Sequence, residues 1–496
     1  MIVLINPCLV VQRNDPFTTG IVYMPLSLAY VVANLVRAGF PVKVIDAYAQ
    51  KTSQARHVGQ FLIVGLNSEE IVEQIPQETK IVYVYAINLT NHVSTIEIVK
   101  FVKINRPDIS VIVLENTQAV TAYSLKKVSS EFYSAGADYI LCGEGDYRAV
   151  HLSQLLLDGV SIDHQSGVDG LGSQIFFNPP KDFIENLDDL PLPAWELFPL
   201  ENYWKLRFAH GPQTTKKYLS ILTSRGCPYP CEFCVVPETN NQRWRFRSAK
   251  NVVNEMEYFS AKLDLNEFHI EDLNPTISDK RTREICEEII DRKLNIIWKI
   301  SAGTKVETIR SEETIDLMAQ AGCRYISISP ETGSQRLLKK MRKPFKVNHA
   351  LRLVKRMNEV GIRCQACFVL GFPGETDDDR LQTWDLVFNL TRQGIDEIAL
   401  FIITPVPGSG IYSQFSGYQS LSQLNFSPTW REDYEFLAHF RMRLYRNFLL
   451  WKMRYQTFKL LRQPFNFLFR NFETKMEMVP YRALKLKWLS LRTVWR

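Results

Sequence analysis

Residues 223–237 read TSRGCPYPCEFCVVP, with Cys227, Cys231 and Cys234 spaced C-x3-C-x2-C inside eight positions. Three thiols this close cannot pair off into disulfides, but they can converge on one metal centre. A structural zinc site asks for four nitrogen or sulfur ligands. The nearest histidines, His210 and His269, lack finger-like spacing. Three thiolates on a four-iron cubane leave one iron open to a small molecule. The run therefore points to an open-site [4Fe-4S] cluster in preference to zinc. Pro228 and Pro230 stiffen the loop and lower the entropy cost of ligation.

Outward from the loop, residues 216–412 alternate apolar strands with patterned helices. The strands are YLSILTS, which leads into the cysteines, then EFHIED, IIWKISAG, YISISPE, QACFVLGF and EIALFIIT. Helices such as SAKNVVNEMEYFSAKL and EETIDLMAQAG lie between them. Six strand–helix units are too few for a closed eight-fold barrel, so the expectation is a partial (β/α)6 barrel of TIM type. Function in such a barrel sits at the C-terminal ends of the strands, and the cysteine loop is at one of them.

Residues 1–160 show the same alternation, with strands at IVLIN, VKVID, IVYVYA, VIVL and YILC. The helical run LSLAYVVANLVRAG ends at Gly39. This predicts a Rossmann-like open parallel sheet, although no G-x-G-x-x-G follows the first strand. Residues 161–215, including NLDDLPLPAWELFPLENYW, read as a linker. Residues 413–496 read as a basic, aromatic helical extension. The fold class is α/β throughout, in two units plus the extension.

At 496 residues and 46% hydrophobic content, the chain can bury large cores. The six cysteines outside the loop are Cys8, Cys142, Cys286, Cys323, Cys364 and Cys367, scattered through apolar segments. That pattern suits a reducing cytoplasm. Cys364 and Cys367 stand three apart on a strand, where side chains point to opposite faces, so separate thiols are expected and not a redox pair. MIVLINPCLVV lacks the basic start of a signal peptide, and no apolar run is long enough for a transmembrane helix.

The net charge of +6 hides an asymmetry: residues 441–496 hold fourteen Lys and Arg against Glu473 and Glu477, whereas the other 440 residues carry 45 bases and 51 acids. In this tail Leu444, Phe448, Trp451, Tyr455 and Phe458 recur at steps of three and four, giving one aromatic helical face. Arg443, Arg446, Lys452, Arg454 and Lys459 flank it. Pro464 and Pro480 are expected to break the helix. Three readings compete for the tail: an anchor at an anionic membrane surface, packing on the chain's own barrel, and contact with RNA.

The cysteine run, with Phe233 just before the last thiol, resembles the signature of the radical S-adenosylmethionine (SAM) enzymes. The stretches ISISPETGSQRLLKKMRK, HIEDLNPT, VLGFPGET and TPVPGSGIY resemble further elements of that family, in order and at strand ends. The resemblance implies a cluster on Cys227, Cys231 and Cys234 whose open iron chelates the amino and carboxylate groups of SAM. One electron then cleaves the sulfonium to a 5′-deoxyadenosyl radical. It further implies that Phe233 packs near the adenine and that Glu331 hydrogen-bonds the ribose or amino group. Glu271, with Asp272 and Asn274, would line the SAM or substrate side of the barrel mouth. Gly371 would let the backbone approach the adenosyl moiety, and Lys343 matches a basic position of the family.

MPLSLAYVVANLVRAGFPVKVIDA, the strand and loop at 111–118 and ADYILCGEGD resemble the cobalamin-binding domain fused to many of these enzymes. The chain lacks the D-x-H-x-x-G motif, so no histidine is offered as lower cobalt ligand. LENTQAV at 114–120 carries bulkier residues than the glycine pair and histidine usual in relatives.

The resulting expectation is a cytoplasmic, cobalamin-dependent radical SAM methyltransferase or cyclase, with a peripheral contact at the inner face of the membrane through the tail. Its partners would be a hydrophobic, lipid-like small molecule and a reducing electron-donor protein. An RNA-modifying methylthiotransferase would need a second cluster on three N-terminal cysteines, and residues 1–215 supply only Cys8 and Cys142. A non-enzymatic membrane module would instead hold zinc and leave SAM intact.

Overall fold

The computed structural model describes residues 1–160, 174–175 and 183–493. Its first sheet contains β1 (Ile2–Asn6), β2 (Val42–Asp46), β3 (Ile81–Ala86), β4 (Ser110–Glu115) and β5 (Tyr139–Leu141). They lie in the order β2-β1-β3-β4-β5, all parallel, with Gln174–Ile175 at the far edge. β1 and β3 are buried along their whole length, which is why they read as unbroken apolar runs. Helices α1 (Leu26–Arg37), α2 (His92–Asn105) and α3 (Asp146–Leu157) connect the sheet. The winding reverses between β1 and β3, and in open sheets ligands bind at the carboxyl edge of that switch point. Short antiparallel strands Leu9–Gln12, Ala55–Val58 and Phe61–Val64 form a second small sheet not expected from the sequence. Four-residue runs leave too little periodicity to separate strand from coil.

The second large sheet holds β6 (Leu219–Ile221), β7 (Glu267–Ile270), β8 (Ile297–Thr304), β9 (Cys323–Glu331), β10 (Arg363–Leu370) and β11 (Glu397–Ile402), parallel and in chain order. All six expected strands are present. Helices α4 (Ala249–Leu263), α5 (Asp279–Asp291), α6 (Glu312–Gln320), α7 (Val347–Glu359) and α8 (Asp377–Arg392) return the chain between strands. Ser248, Ser278, Ser311 and Thr376 cap four of them by accepting a backbone N–H. In α7 the buried residues are Ala350, Leu353, Val354 and Met357, the spacing of a single apolar stripe.

One face of this sheet is polar. Lys299 Nζ lies 2.7 Å from Glu267 Oε1, His269 Nε2 lies 2.9 Å from the same oxygen, and Tyr325 donates to Glu397 at 2.6 Å. The segment 210–215 crosses this face, its Pro212 carbonyl accepting from Lys299 at 2.6 Å. A Cβ on Gly211 would stand 2.2 Å from Ser301 Oγ, so only glycine lets the segment pass.

Two expectations are corrected. The part of the proposed linker that is described, 183–215, is packed core: Trp195 and Tyr203 are fully buried, and Tyr203 donates to Asp46 at 2.7 Å. Its remaining residues, apart from the edge strand, lie outside the described residues. The prolines do not break the tail. The helices are α9 (Tyr434–Tyr455), α10 (Thr457–Phe469) and α11 (Lys475–Arg492), with Pro464 and Pro480 inside the latter two. One break falls at Gln456, whose buried side chain donates to the carbonyls of Thr391 and Ile395 at 2.8 and 3.1 Å, and the other follows Arg470 at φ 54°. Tertiary hydrogen bonds outweigh proline here.

The packing reading of the tail holds for α9. Leu444 and Phe448 are buried, and the Trp451 ring sits 5.6 Å from Trp384 and 5.1 Å from Phe388 of α8. Tyr455 is partly exposed but keeps its ring 6.2 Å from Phe388, whereas Phe458 is exposed and departs from that face. Many of the tail's bases serve as clamps on backbone carbonyls: Lys452 to Asp396, Lys475 to Ser301, Arg482 to Phe17 and Lys485 to Leu206. Among the described residues no helix is long and apolar enough to cross a membrane.

Candidate functional site

The cysteine loop leaves the sheet after β6 and is closed at its base by a two-stranded antiparallel ladder, Ser224–Gly226 with Trp244–Phe246. Gly226 has φ 78°, and a Cβ there would meet the Arg243 carbonyl at 1.9 Å; the ladder closes only around glycine. Asp272 steers the entry, its carboxylate accepting from Thr223 N at 2.7 Å, Thr223 Oγ1 at 2.6 Å and Ser224 Oγ at 2.6 Å. Further along, Glu232 N donates to Met341 O, and Ile411 N donates to Glu232 O, both at 3.2 Å.

Cys227, Cys231 and Cys234 are free thiols and partly exposed, whereas Cys8, Cys142, Cys286, Cys323 and Cys364 are buried. Burial pushes Cys231 up to about 11 and Cys234 up to about 12, and each feels the charge of its neighbouring thiols. Burial also raises Cys227, against a hydrogen bond from Asn274 and the charge of Lys343. The opposing cations are Lys343, 5.7 Å from the Phe233 ring centroid, and Lys305, 5.2 Å from that of Tyr229. Burial disfavours the Lys343 charge, but the paired Glu331 carboxylate and the Cys231 thiol hold it protonated well above its usual range. Glu331 itself sits at φ 65°, a conformation that costs a carboxylate side chain about 1–3 kcal/mol.

Sequence-selected residues thus gather from several elements: Phe233 from the loop, Asn274 after β7, Glu331 at the end of β9 and Lys343 beyond it. Glu271 falls elsewhere. Its Oε2 is 2.6 Å from His210 Nδ1, and both line a cavity between the two large sheets, with Tyr23, Tyr85, Asn116, Val120 and Leu222. Burial lowers His210, with Glu271 opposing, and the Tyr23 ring lies 4.6 Å from the imidazole. Gly371 has φ 74° and is backed by Leu437 and Arg431 from the C-terminal extension. Cys364 and Cys367 are parted as expected: Cys364 is bracketed by Asp396, and Cys367 faces Ser327 and Gln365 at 3.5 Å.

In the sequence His210 stands out only as a histidine without finger-like spacing, and its pairing with Glu271 depends on the segment that threads across the sheet. The coupling between the two units was likewise hidden. Arg225, two residues before Cys227, makes a buried bidentate pair with Asp146 at 2.7 and 3.0 Å. Arg245 pairs with Glu144 at 2.5 Å. The acids of ADYILCGEGD therefore bolt the first sheet to the cysteine ladder. A second, smaller cavity lies beside Glu115, Gly143, Gly145 and Arg225 and shares Ser27, Tyr85 and Gln118 with the first. In LENTQAV, Asn116 donates to Ile87 O at 2.7 Å and Gln118 Nε2 to Asn240 Oδ1 at 3.2 Å.

Residues 221–387 match the family model of the radical SAM superfamily. The chain carries a radical SAM domain. Cytidylyl-2-hydroxyethylphosphonate methyltransferase of Streptomyces wedmorensis is 26% identical over 82% of this chain and 80% of that protein. Anaerobic magnesium-protoporphyrin IX monomethyl ester cyclase of Rubrivivax gelatinosus is 27% identical over 56% of this chain, which spans about half of that relative, 49%. Among solved structures, the radical SAM methyltransferase TsrM of Kitasatospora setae, determined with cobalamin and a [4Fe-4S] cluster, superimposes with a TM-score of 0.60 at 19% identity, covering 84% of this chain and 79% of that one. That likeness extends the shared fold beyond the radical SAM domain to the first sheet.

Proposed function

We propose that this radical SAM enzyme holds a [4Fe-4S] cluster on Cys227, Cys231 and Cys234, binds SAM beside it, and uses cobalamin to transfer a methyl group to a carbon of a hydrophobic small molecule. The observation that carries this is the cysteine loop leaving the carboxyl end of the second sheet, with Arg225 at its base lining the smaller of the two cavities. When bound, cluster and SAM supply a substrate-abstracting radical, and cobalamin supplies the methyl group.

The residues fit the groups they would hold. Among the described residues no three His, Cys, Asp or Glu side chains are grouped tightly enough for a single ion. Three thiolates from one loop suit a cubane, where each binds a different iron. Phe233 and the Lys343–Glu331 pair stand on the thiol side and would contact SAM; Gly371 would keep the backbone close to it. For cobalamin, the two cavities lie at the edge where open sheets bind ligands, and the glycines at 143 and 145 keep one wall low: a Cβ on Gly145 would stand 2.4 Å from Leu114 Cδ1.

The chain's own residues then shape substrate handling. Met24, Ile87, Val120, Leu222 and Ala302 give the larger cavity apolar walls, which exclude water and receive an apolar body. His210 and Glu271 are its convergent polar groups. With its Nδ1 proton held by the carboxylate and its charge disfavoured by burial, His210 is a neutral base able to accept a proton at Nε2.

Anaerobic reconstitution with iron, sulfide, SAM, reductant and cobalamin tests the reading. Formation of 5′-deoxyadenosine, and its loss in Cys231→Ala, are expected. Methylcobalamin consumed with transfer to a substrate supports methyl transfer, whereas consumption of SAM alone with ring closure would place the chain with the cyclase relative. Zinc in the purified protein and intact SAM would overturn the proposal.

A further inference from the structure

The helix α10 is docked the wrong way round for a soluble protein. Its polar side faces inward: Lys459 Nζ reaches Gly394 O at 2.9 Å and Asp396 Oδ1 at 2.8 Å, and Asn466 donates to Glu477 at 2.9 Å. Its apolar side faces out, with Phe458 90%, Leu461 61%, Phe465 62%, Leu468 73% and Phe469 78% exposed. At 3.6 residues per turn these five fall on one stripe roughly 100° wide, the width that ordinarily faces a core. Adjoining helices also present exposed apolar side chains, Leu450 and Met453 on α9 and Leu484 and Trp488 on α11. An exposed apolar stripe of this kind marks an interaction surface.

Charge selects the occupant. The exposed ionisable residues of 441–493 are all basic, among them Arg443, Arg446, Arg454, Arg470, Lys487 and Arg492. The two acids are engaged internally, Glu473 with Arg363 at 2.7 Å and Glu477 with Asn466. Two such faces repel each other, which disfavours a second copy, while an anionic surface is attracted to both the stripe and its rim. With 13 residues, α10 is about 20 Å long, short of the roughly 30 Å hydrocarbon core. It can lie in a bilayer but not cross one.

We propose that α10 is an in-plane membrane helix, which seats the protein on an anionic lipid bilayer with Phe458, Phe465 and Phe469 entering the acyl boundary and the surrounding arginines and lysines at the headgroups. This rests on the tail alone and is independent of the proposed reaction.

Flotation of the full-length protein with phosphatidylcholine vesicles, with and without phosphatidylglycerol, is the test. The wild type should float with the anionic vesicles and be partly released by salt. The triple variant Phe458→Ser, Phe465→Ser, Phe469→Ser, whose thermal unfolding should match the wild type because these side chains touch solvent, should bind about tenfold less or weaker. Arg454→Glu with Arg470→Glu should reduce binding to anionic vesicles specifically. A wild type that stays with the soluble fraction in the presence of anionic vesicles overturns the proposal. So does a wild-type dimer that the triple variant converts to monomer, because the face would then be a contact between copies.

Discussion

Gln118 Oε1 accepts the Gly226 peptide N–H at 3.2 Å, so a side chain from the loop after β4 of the first sheet holds the residue immediately before Cys227. The same amide reaches Asn240, whose Nδ2 donates to Thr117 O at 2.8 Å. The cavity that would receive cobalamin and the loop that would receive the cluster share one hydrogen-bonded seam.

Replacing Gln118 with Ala should leave the Gly226 N–H unpaired in a buried setting, at a cost of about 1–3 kcal/mol. Thermal unfolding should register the loss, and iron and sulfide content after reconstitution should fall with it. Unchanged iron content together with unchanged unfolding would show that the seam has no role.

Arg225→Ala should be more damaging. It strands the buried Asp146 carboxylate, and breaking a buried pair costs about 3–5 kcal/mol. Urea unfolding measures this directly. Arg225→Lys should recover part of it, since a point charge replaces only half of a bidentate contact. A loss below about 0.5 kcal/mol, the scale of surface substitutions, would contradict the geometry.

Glu115 carries a pH dependence. Burial raises its carboxyl to about 7, although the Gly143 and Leu125 N–H groups donate to it at 2.5 and 2.8 Å. The unfolded chain titrates near about 4.3, so the folded state binds the extra proton between the two values. This group's stabilising contribution is therefore full below about pH 4.3 and is lost as pH rises towards 7. Denaturant unfolding at several pH values should show that slope, and Glu115→Gln should flatten it; an identical slope in the variant would assign the effect to other groups.

His210→Ala should separate the two halves of the proposed reaction. Cleavage of SAM to 5′-deoxyadenosine should persist, because His210 is paired in the cavity and stands apart from the thiols. Product formation should fall by about 10²-fold or more if the imidazole takes a proton, with Glu271→Gln giving a smaller loss. Equal loss of both products would return Glu271 to the SAM side. An unaffected product yield would remove the base altogether.

The cysteine spacing and the long strands of both large sheets were legible because each is carried by local pattern, whereas Phe233, Glu331 and Lys343 entered through a family resemblance. Period-2 and period-3.6 hydrophobicity survive without knowledge of neighbours, and in a parallel sheet with helical crossovers the strand ends fall on one side. The helix break at Gln456, the core role of Trp195 and Tyr203 and the outward face of α10 were not legible. Each depends on partners distant in sequence: the Thr391 and Ile395 carbonyls for Gln456, Asp46 for Tyr203, Asp396 for Lys459.

From the sequence alone came the chemistry on offer, three thiols in one stiff loop at a strand end, and the α/β scaffold that presents them. Only the tertiary structure decided what faces what: that Glu271 meets His210 across the cavity, that Arg225 and Gln118 bind the two units into one site, and that α10 turns its polar side inward. Spacing along the chain dictates which side chains share a face, but burial and ion pairing between distant segments dictate which face turns to water.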